Sequence, residues 1–222
     1  MYVPNYYKKI RKILRPIKMQ LRYFLVNTWY GTKRWISPPV LPKNADGKVL
    51  IHLGCGYQDD KRYINVDGAP FPHVHYLSRV EKLPMFSNDS ADLIYACHVL
   101  EHLSHQKLDE ILREWGRVLK KDGVLRLSVP DFDKIIGIYE KEGRDIYRII
   151  PPLMGTHESG EFDFHRAVFN KAYLTDILMK AGFSSVREWD PETAPYYSFK
   201  DWAGPRKVHG IYPIGLNLEG VK

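Results

Sequence analysis

The chain has 222 residues, 44% of them hydrophobic and 27% charged, enough for one α/β domain with extensions and too few for two large domains. Its two cysteines, Cys55 and Cys97, argue against a disulfide framework and for a reducing compartment, and no apolar run approaches the roughly eighteen residues of a membrane span. The net charge of +7 is segregated: residues 1–48 hold eleven Lys and Arg against the single acid Asp46, which leaves residues 49–222 with 22 basic and 25 acidic side chains, a net of −3. The N-terminus lacks the uninterrupted apolar stretch and small-residue cleavage site of a signal peptide, so a cytoplasmic protein is expected.

Residues 1–36 form a basic leader. On a helical wheel, Ile10, Ile13, Leu14, Ile17, Leu21, Phe24 and Leu25 share one face, opposite Arg11, Lys12, Arg15, Lys18 and Arg22. Pro16 should end or kink the helix near Arg15, so two short pieces are expected. Such a pattern suits a helix lying on an anionic membrane surface. It equally suits a helix that packs its apolar face on the main domain. Nucleic acid is a weaker fit, because no recognised binding motif accompanies the charge. Residues 37–47 are rich in turn formers and read as a linker.

The main domain is expected over 48–222. KVLIHL (48–53), YINVD (63–67), VHYL (74–77), DLIYAC (92–97) and GVLRLSV (123–129) are short apolar runs suited to buried strands. Between the last two, residues 106–121 carry a helical stripe of Leu108, Ile111, Leu112, Trp115, Val118 and Leu119, with Gly123 as a stop signal. A second helix is expected over 171–180, then a strand at SSVREW and a final strand at IGLNLEGV. Strands alternating with helices imply an α/β fold with a mostly parallel sheet covered on both faces. Ligands of such sheets bind beyond the carboxyl ends of the strands, where the strand order reverses. That places the Gly54-Cys55-Gly56 loop at the expected site.

A dinucleotide loop would read G-x-G-x-x-G with an acid about twenty residues on. Here Asp59 stands where the third glycine belongs, and Asp67 comes thirteen residues after Gly54. A phosphate-cradling P-loop is also absent from the sequence. Glycine lets a ligand approach the main chain closely, and a carboxylate at the tip of the second strand can accept both hydroxyls of a ribose. Together they suggest an adenosine without pyrophosphate.

IHLGCG, INVD, the stretch LPMFSNDSADLIYACHVLEHL (83–103), RVLKKDG and VLRLSVPDF (124–132) resemble class I S-adenosylmethionine-dependent methyltransferases. The nearest subgroup is that of the small type-11-like enzymes often associated with surface-glycan biosynthesis. The resemblance covers about residues 48–190 and implies a doubly wound, seven-stranded Rossmann-like sheet with its last strand antiparallel. It also implies S-adenosylmethionine as cofactor. Gly54, Cys55 and Gly56 would line its methionine and ribose, Asp67 would hold the ribose hydroxyls with Gly68 beside them, and Cys97 and His98 would lie under the methyl-donor end. Relatives often place an adenine-binding acid after the third strand; the matching residues here are Ser78 and Arg79, and Glu81 is the substitute. The short connection from Gly54 to Arg62 also looks typical of the subgroup.

Methyl transfer from a sulfonium needs chiefly alignment of the nucleophile, with a base to take the proton if the acceptor is a hydroxyl. ACHVLEH places His98, Glu101 and His102 at i, i+3 and i+4. His98 is the first choice for that base. The spacing is not H-E-x-x-H, and the resemblance accounts for VLEHL without a metal, so no metal ligand is assigned. Glu101 and His102 read more readily as ties for the loop entering the next helix. A covering insertion is expected at about 132–170, where His157, Glu158, Asp163, His165 and Arg166 could meet a polar acceptor; His165 is the second catalytic candidate. Asp131 could face the same cavity, and APYYSFKDW (194–202) could stack on an acceptor or simply pack. The function expected is methyl transfer to a small-molecule or glycan-like acceptor. An RNA methyltransferase, or a non-catalytic membrane-associated assembly partner of the same fold, are the alternatives.

Overall fold

The computed structural model describes residues 39–156, 163–204 and 206–222, together with residues 25, 28, 29, 32, 36 and 37. The amphipathic leader stretch lies, Leu25 apart, outside them, as do His157 and Glu158.

Seven strands form one sheet: β1 (Leu50–Leu53), β2 (Tyr63–Asp67), β3 (Tyr76–Leu77), β4 (Ala91–Cys97), β5 (Leu119–Pro130), β6 (Ser185–Glu188) and β7 (Gly215–Val221). Their order is β3-β2-β1-β4-β5-β7-β6. The pairs from β3 through β5 are parallel, and β7 runs antiparallel to both β5 and β6. This is the Rossmann-like methyltransferase sheet with its late antiparallel strand. The order reverses between β1 and β4, so the loop after β1 opens into the crevice where such sheets take ligands.

The α-helices described over their full length are α1 (Leu108–Val118), α2 (Phe132–Lys141), α3 (Ile150–Met154) and α4 (Lys171–Lys180). The helix expected over 106–121 is shorter at both ends. A single tight turn covers His105–Lys107, and Leu119 already pairs with Ala91 in the sheet. Strand pairing thus takes over the residues that periodicity alone assigned to the helix. Gly123, expected as the helix stop, instead lies within β5, where a Cβ would come within 2.8 Å of Lys120 O.

The two faces of the sheet are covered by different means. On one, Ile51, Leu53, Ile94, Ala96, Leu125 and Leu127 form a core with Ile111, Leu112 and Trp115 of α1 and with Leu174 and Leu178 of α4. Strand alternation sends Leu50, Tyr63, Leu93 and Tyr95 to the other face. Residues 54–62 between β1 and β2 form no helix, so none covers this face there. Instead the segment between β6 and β7 lays Trp189, Tyr197, Phe199 and Ala203 across it. Phe199 stacks on Tyr95 at 4.9 Å with the rings 1° from parallel, and Trp189 Nε1 donates to Leu127 O at 2.9 Å. The run 194–202 therefore includes core residues of this face, which decides between the two uses expected for Phe199.

Candidate active site

The turn after β1 is built around two glycines in the left-handed region, with φ of +62° at Gly54 and +52° at Gly56. Gly54 N–H donates to Val66 O at 2.8 Å, and a Cβ on it would lie 2.4 Å from Val99 Cγ2. At Gly56 a Cβ would meet no atom within 4 Å. The main chain there borders open space. Gly56 N–H donates to Asp67 Oδ2 at 2.8 Å and Ala69 N–H to Asp67 Oδ1 at 2.7 Å. The tips of β1 and β2 are thus tied through one carboxylate. A carboxylate offers about four lone-pair directions, so each oxygen retains accepting capacity for a hydroxyl.

Other predicted cofactor residues fall around this turn in different ways. The Cys55 side chain is buried, with Sγ 3.7 Å from His73 Nε2; burial, with the Asp67 carboxylate adding to it, pushes the thiol far above its usual range. Cys55 can therefore offer a ligand its main chain more readily than its sulfur. His73, which sequence reasoning passed over, also brings Nε2 to 3.0 Å from Gly56 O. Gly68 directly follows Asp67. Ser78 N–H donates to Asp67 O at 3.0 Å, and Glu81 holds an ion pair of 3.1 Å with Arg79 beyond it. Cys97 closes β4 on the aromatic-segment face, and burial raises its thiol.

The next residue, His98, has φ +53°, a strained backbone for a side chain with a Cβ. Its N–H donates to Ser128 O at 2.8 Å, holding the turn against β5. The imidazole stacks on Trp202 at 5.6 Å with 24° between the planes. Nδ1 lies 3.2 Å from Glu101 Oε1, while Nε2 is buried without a hydrogen-bond partner. Neither Glu101 oxygen has one either, and that side chain is 1% exposed. Burial lowers His98 to about 3 and raises Glu101 to about 8. At neutral pH the pair is therefore a neutral imidazole beside a carboxylic acid, and the short distance marks no ion pair.

The covering segment crosses this turn. Arg166 N–H and Ala167 N–H both donate to Glu101 O, at 2.6 and 3.1 Å, and His165 N–H donates to Met154 O at 3.1 Å. His102 Nδ1 lies 3.2 Å from Phe164 O, and the His102 and His165 rings meet edge to face at 4.9 Å. Burial lowers both imidazoles, His165 to about 4. Asp163 accepts from the Thr156 hydroxyl, and Arg166 is exposed. Asp131 does not stand as a free cavity acid: it caps α2, accepting from Asp133 N–H at 3.1 Å, with Lys134 Nζ at 3.8 Å.

Sequence reasoning treated Trp202 and Asp201 only as the end of an aromatic run. Asp201 is buried and accepts from the Tyr95 and Tyr197 hydroxyls, both at 2.7 Å, and from Ala203 N–H at 3.0 Å. It anchors the loop that carries Trp202 to His98. A cavity of about 510 Å³ opens elsewhere, at the amino ends of β1, β4 and β5, lined by Lys48, Asp92, Arg126, Trp189, Tyr196 and Glu219. It touches neither the glycine turn nor His98, and its Arg126 and Glu219 side chains already hydrogen-bond one another at 2.7 Å.

Residues 59–127, from just after the glycine turn through most of β5, match a family model described as a methyltransferase domain. This stretch is similar to a methyltransferase domain. The match supports an enzymatic role for this stretch. The fold of the chain is similar to that of a Thermotoga maritima S-adenosylmethionine-dependent methyltransferase, a possible histamine N-methyltransferase, with TM-score 0.50, 19% identity, and coverage of 94% of this chain and 97% of that one. It is also similar to Burkholderia thailandensis 1,6-didemethyltoxoflavin-N1-methyltransferase with bound 1,6-didemethyltoxoflavin and S-adenosylhomocysteine, with TM-score 0.50, 16% identity, and coverage of 100% and 91%. At these identities the likeness is one of fold. No curated protein matches the chain in sequence. The bare main chain at Gly56 and the adjoining Asp67 carboxylate leave space and accepting capacity that a nucleoside could use.

Proposed function

We propose that the domain transfers a methyl group to a hydroxyl of a small-molecule or glycan-like acceptor, with His98 receiving the proton. When bound, S-adenosylmethionine supplies an electrophilic methyl on a sulfonium. The main chain of Gly54, Cys55 and Gly56 underlies its methionine and ribose, Asp67 and Gly68 hold the ribose, and Glu81 lies toward the adenine. Cys97 and His98 border the methyl end.

The observation that carries this reading is the unpartnered, buried Nε2 of His98 on a strained turn packed against Val99–Gly54. The neutral imidazole keeps an unshared lone pair on Nε2 for a proton, while the burial that holds it neutral makes it a weaker base than a free histidine. Trp202 stacks on the ring, and Glu101 faces Nδ1; as a neutral acid it would have to give up its proton before it could stabilise an imidazolium. Outside the basic leader the net charge is −3 over residues 49–222, which gives the domain itself no excess of cations for an RNA backbone. The His98→Ala substitution should reduce turnover by about 100-fold or more while S-adenosylmethionine affinity in calorimetry changes little. Unchanged turnover with a cognate hydroxyl acceptor would remove His98 from the reaction.

A further inference from the structure

The i, i+3, i+4 set of His98, Glu101 and His102 gave no reason to assign a metal, but the fold replaces one member of that set. It brings His165, from the covering segment, to Glu101 and His102, so that one donor atom of each lies within 4.8 Å of the others. We propose that Glu101, His102 and His165 form a binding site for a divalent transition cation of the zinc class.

Three independent features point the same way. First, both oxygens of Glu101 are buried without a hydrogen-bond partner, with only His98 Nδ1 3.2 Å from Oε1; a bound cation would replace the proton that burial keeps on this acid. Second, His102 already uses Nδ1 on the Phe164 carbonyl. With Nδ1–H donating, Nε2 is left unprotonated and oriented as a ligand, the arrangement in which metal-binding histidines are usually held. Third, the donors are two imidazoles and one carboxylate, a set that binds zinc with a fourth position left open. With bonds of about 2.0–2.2 Å, the three donors must draw together by on the order of an ångström. The covering segment is fastened to the turn by the main-chain bonds of Arg166 and Ala167 to Glu101 O, directly after His165. A cation here would join that segment to the loop bearing His98.

The site does not depend on the acceptor or on the identity of the base, and its test uses neither. The full chain, stripped with a chelator and dialysed, is titrated with Zn²⁺ by calorimetry and with Co²⁺ by visible absorption. One equivalent should bind, Co²⁺ should give the intense bands of a four-coordinate centre, and thermal unfolding should shift upward with added Zn²⁺. Loss of an outer-shell partner alone weakens metal binding by about 10–100-fold, so His102→Ala and His165→Ala should each weaken it by about 100-fold or more. His105→Ala, on the exposed turn before α1, should bind like the wild type. Absence of stoichiometric binding by the wild-type chain overturns the proposal whatever the variants do. So does binding that folded His102→Ala and His165→Ala proteins both retain.

Discussion

At the scale of single residues, the site rests on positions where the backbone is forced into the left-handed region. Gly54 combines φ +62° with the contact to Val99 that leaves no room for a Cβ. A left-handed residue bearing a Cβ costs roughly 1–2 kcal/mol, and overpacking adds about 1–3 kcal/mol. Gly54→Ala should therefore destabilise the fold by about 2–5 kcal/mol, read as a shift in denaturation midpoint. Val99→Ala in the same chain should recover the packing part and leave the backbone part. A double variant as unstable as Gly54→Ala alone would show that Val99 is not the obstacle. Gly56 has the same backbone need but no obstacle above it, so only the first glycine has a packing role. His98 adopts the same backbone region without being glycine, and the hydrogen bond from its N–H to Ser128 O is part of what holds it there.

At the scale of elements, the unusual feature is the sheet face covered by an irregular aromatic segment in place of helices between the early strands. If that segment is core, Phe199→Ala should cost about 3–5 kcal/mol, as deletion of a buried phenylalanine does, and Leu174→Ala under the helical face about 2–5 kcal/mol. A loss below about 1 kcal/mol for Phe199→Ala in chemical denaturation, the range of surface substitutions, would mean the segment merely rests on the sheet. The strands with the strongest apolar runs were readable from sequence because both of their faces are buried. β3 was read too long: Val74 N–H bonds back to Phe71 O in a turn, and only Tyr76 and Leu77 pair with β2. The glycine turn, Asp67 and the CHVLEH stretch were legible because each is contiguous. The meeting of Trp202 with His98, and of His165 with His102, was not, because each joins segments far apart in the chain and only the tertiary fold brings them together.

At the scale of the whole molecule, buried imidazoles set the response to acid. His52 lies inside the aromatic face against Tyr63, Tyr95 and Phe199, and burial lowers it to about 3. The unfolded chain takes up its proton near 6.5 and the folded chain only near 3. The stability tied to its neutral form is therefore complete above 6.5 and is lost as pH falls toward 3. By pH 5 that loss is about 2 kcal/mol. His52→Phe should flatten this part of the stability profile between pH 6.5 and 5 in urea titrations. An unchanged slope would mean that the ring is hydrated in the fold. Among the described residues no helix is long and apolar enough to cross a membrane.

The claim on which the rest depends is that the bare turn at Gly56 and the carboxylate of Asp67 together receive the nucleoside of S-adenosylmethionine. Calorimetry on the full chain with S-adenosylmethionine, S-adenosylhomocysteine and NAD, repeated on Asp67→Ala, measures it directly. We expect one equivalent of each of the first two to bind, no NAD to bind, and Asp67→Ala to weaken binding by about tenfold or more, the loss of one or two hydrogen bonds to a charged group. Failure of the wild type to bind S-adenosylmethionine, or full affinity in a folded Asp67→Ala protein, would contradict it.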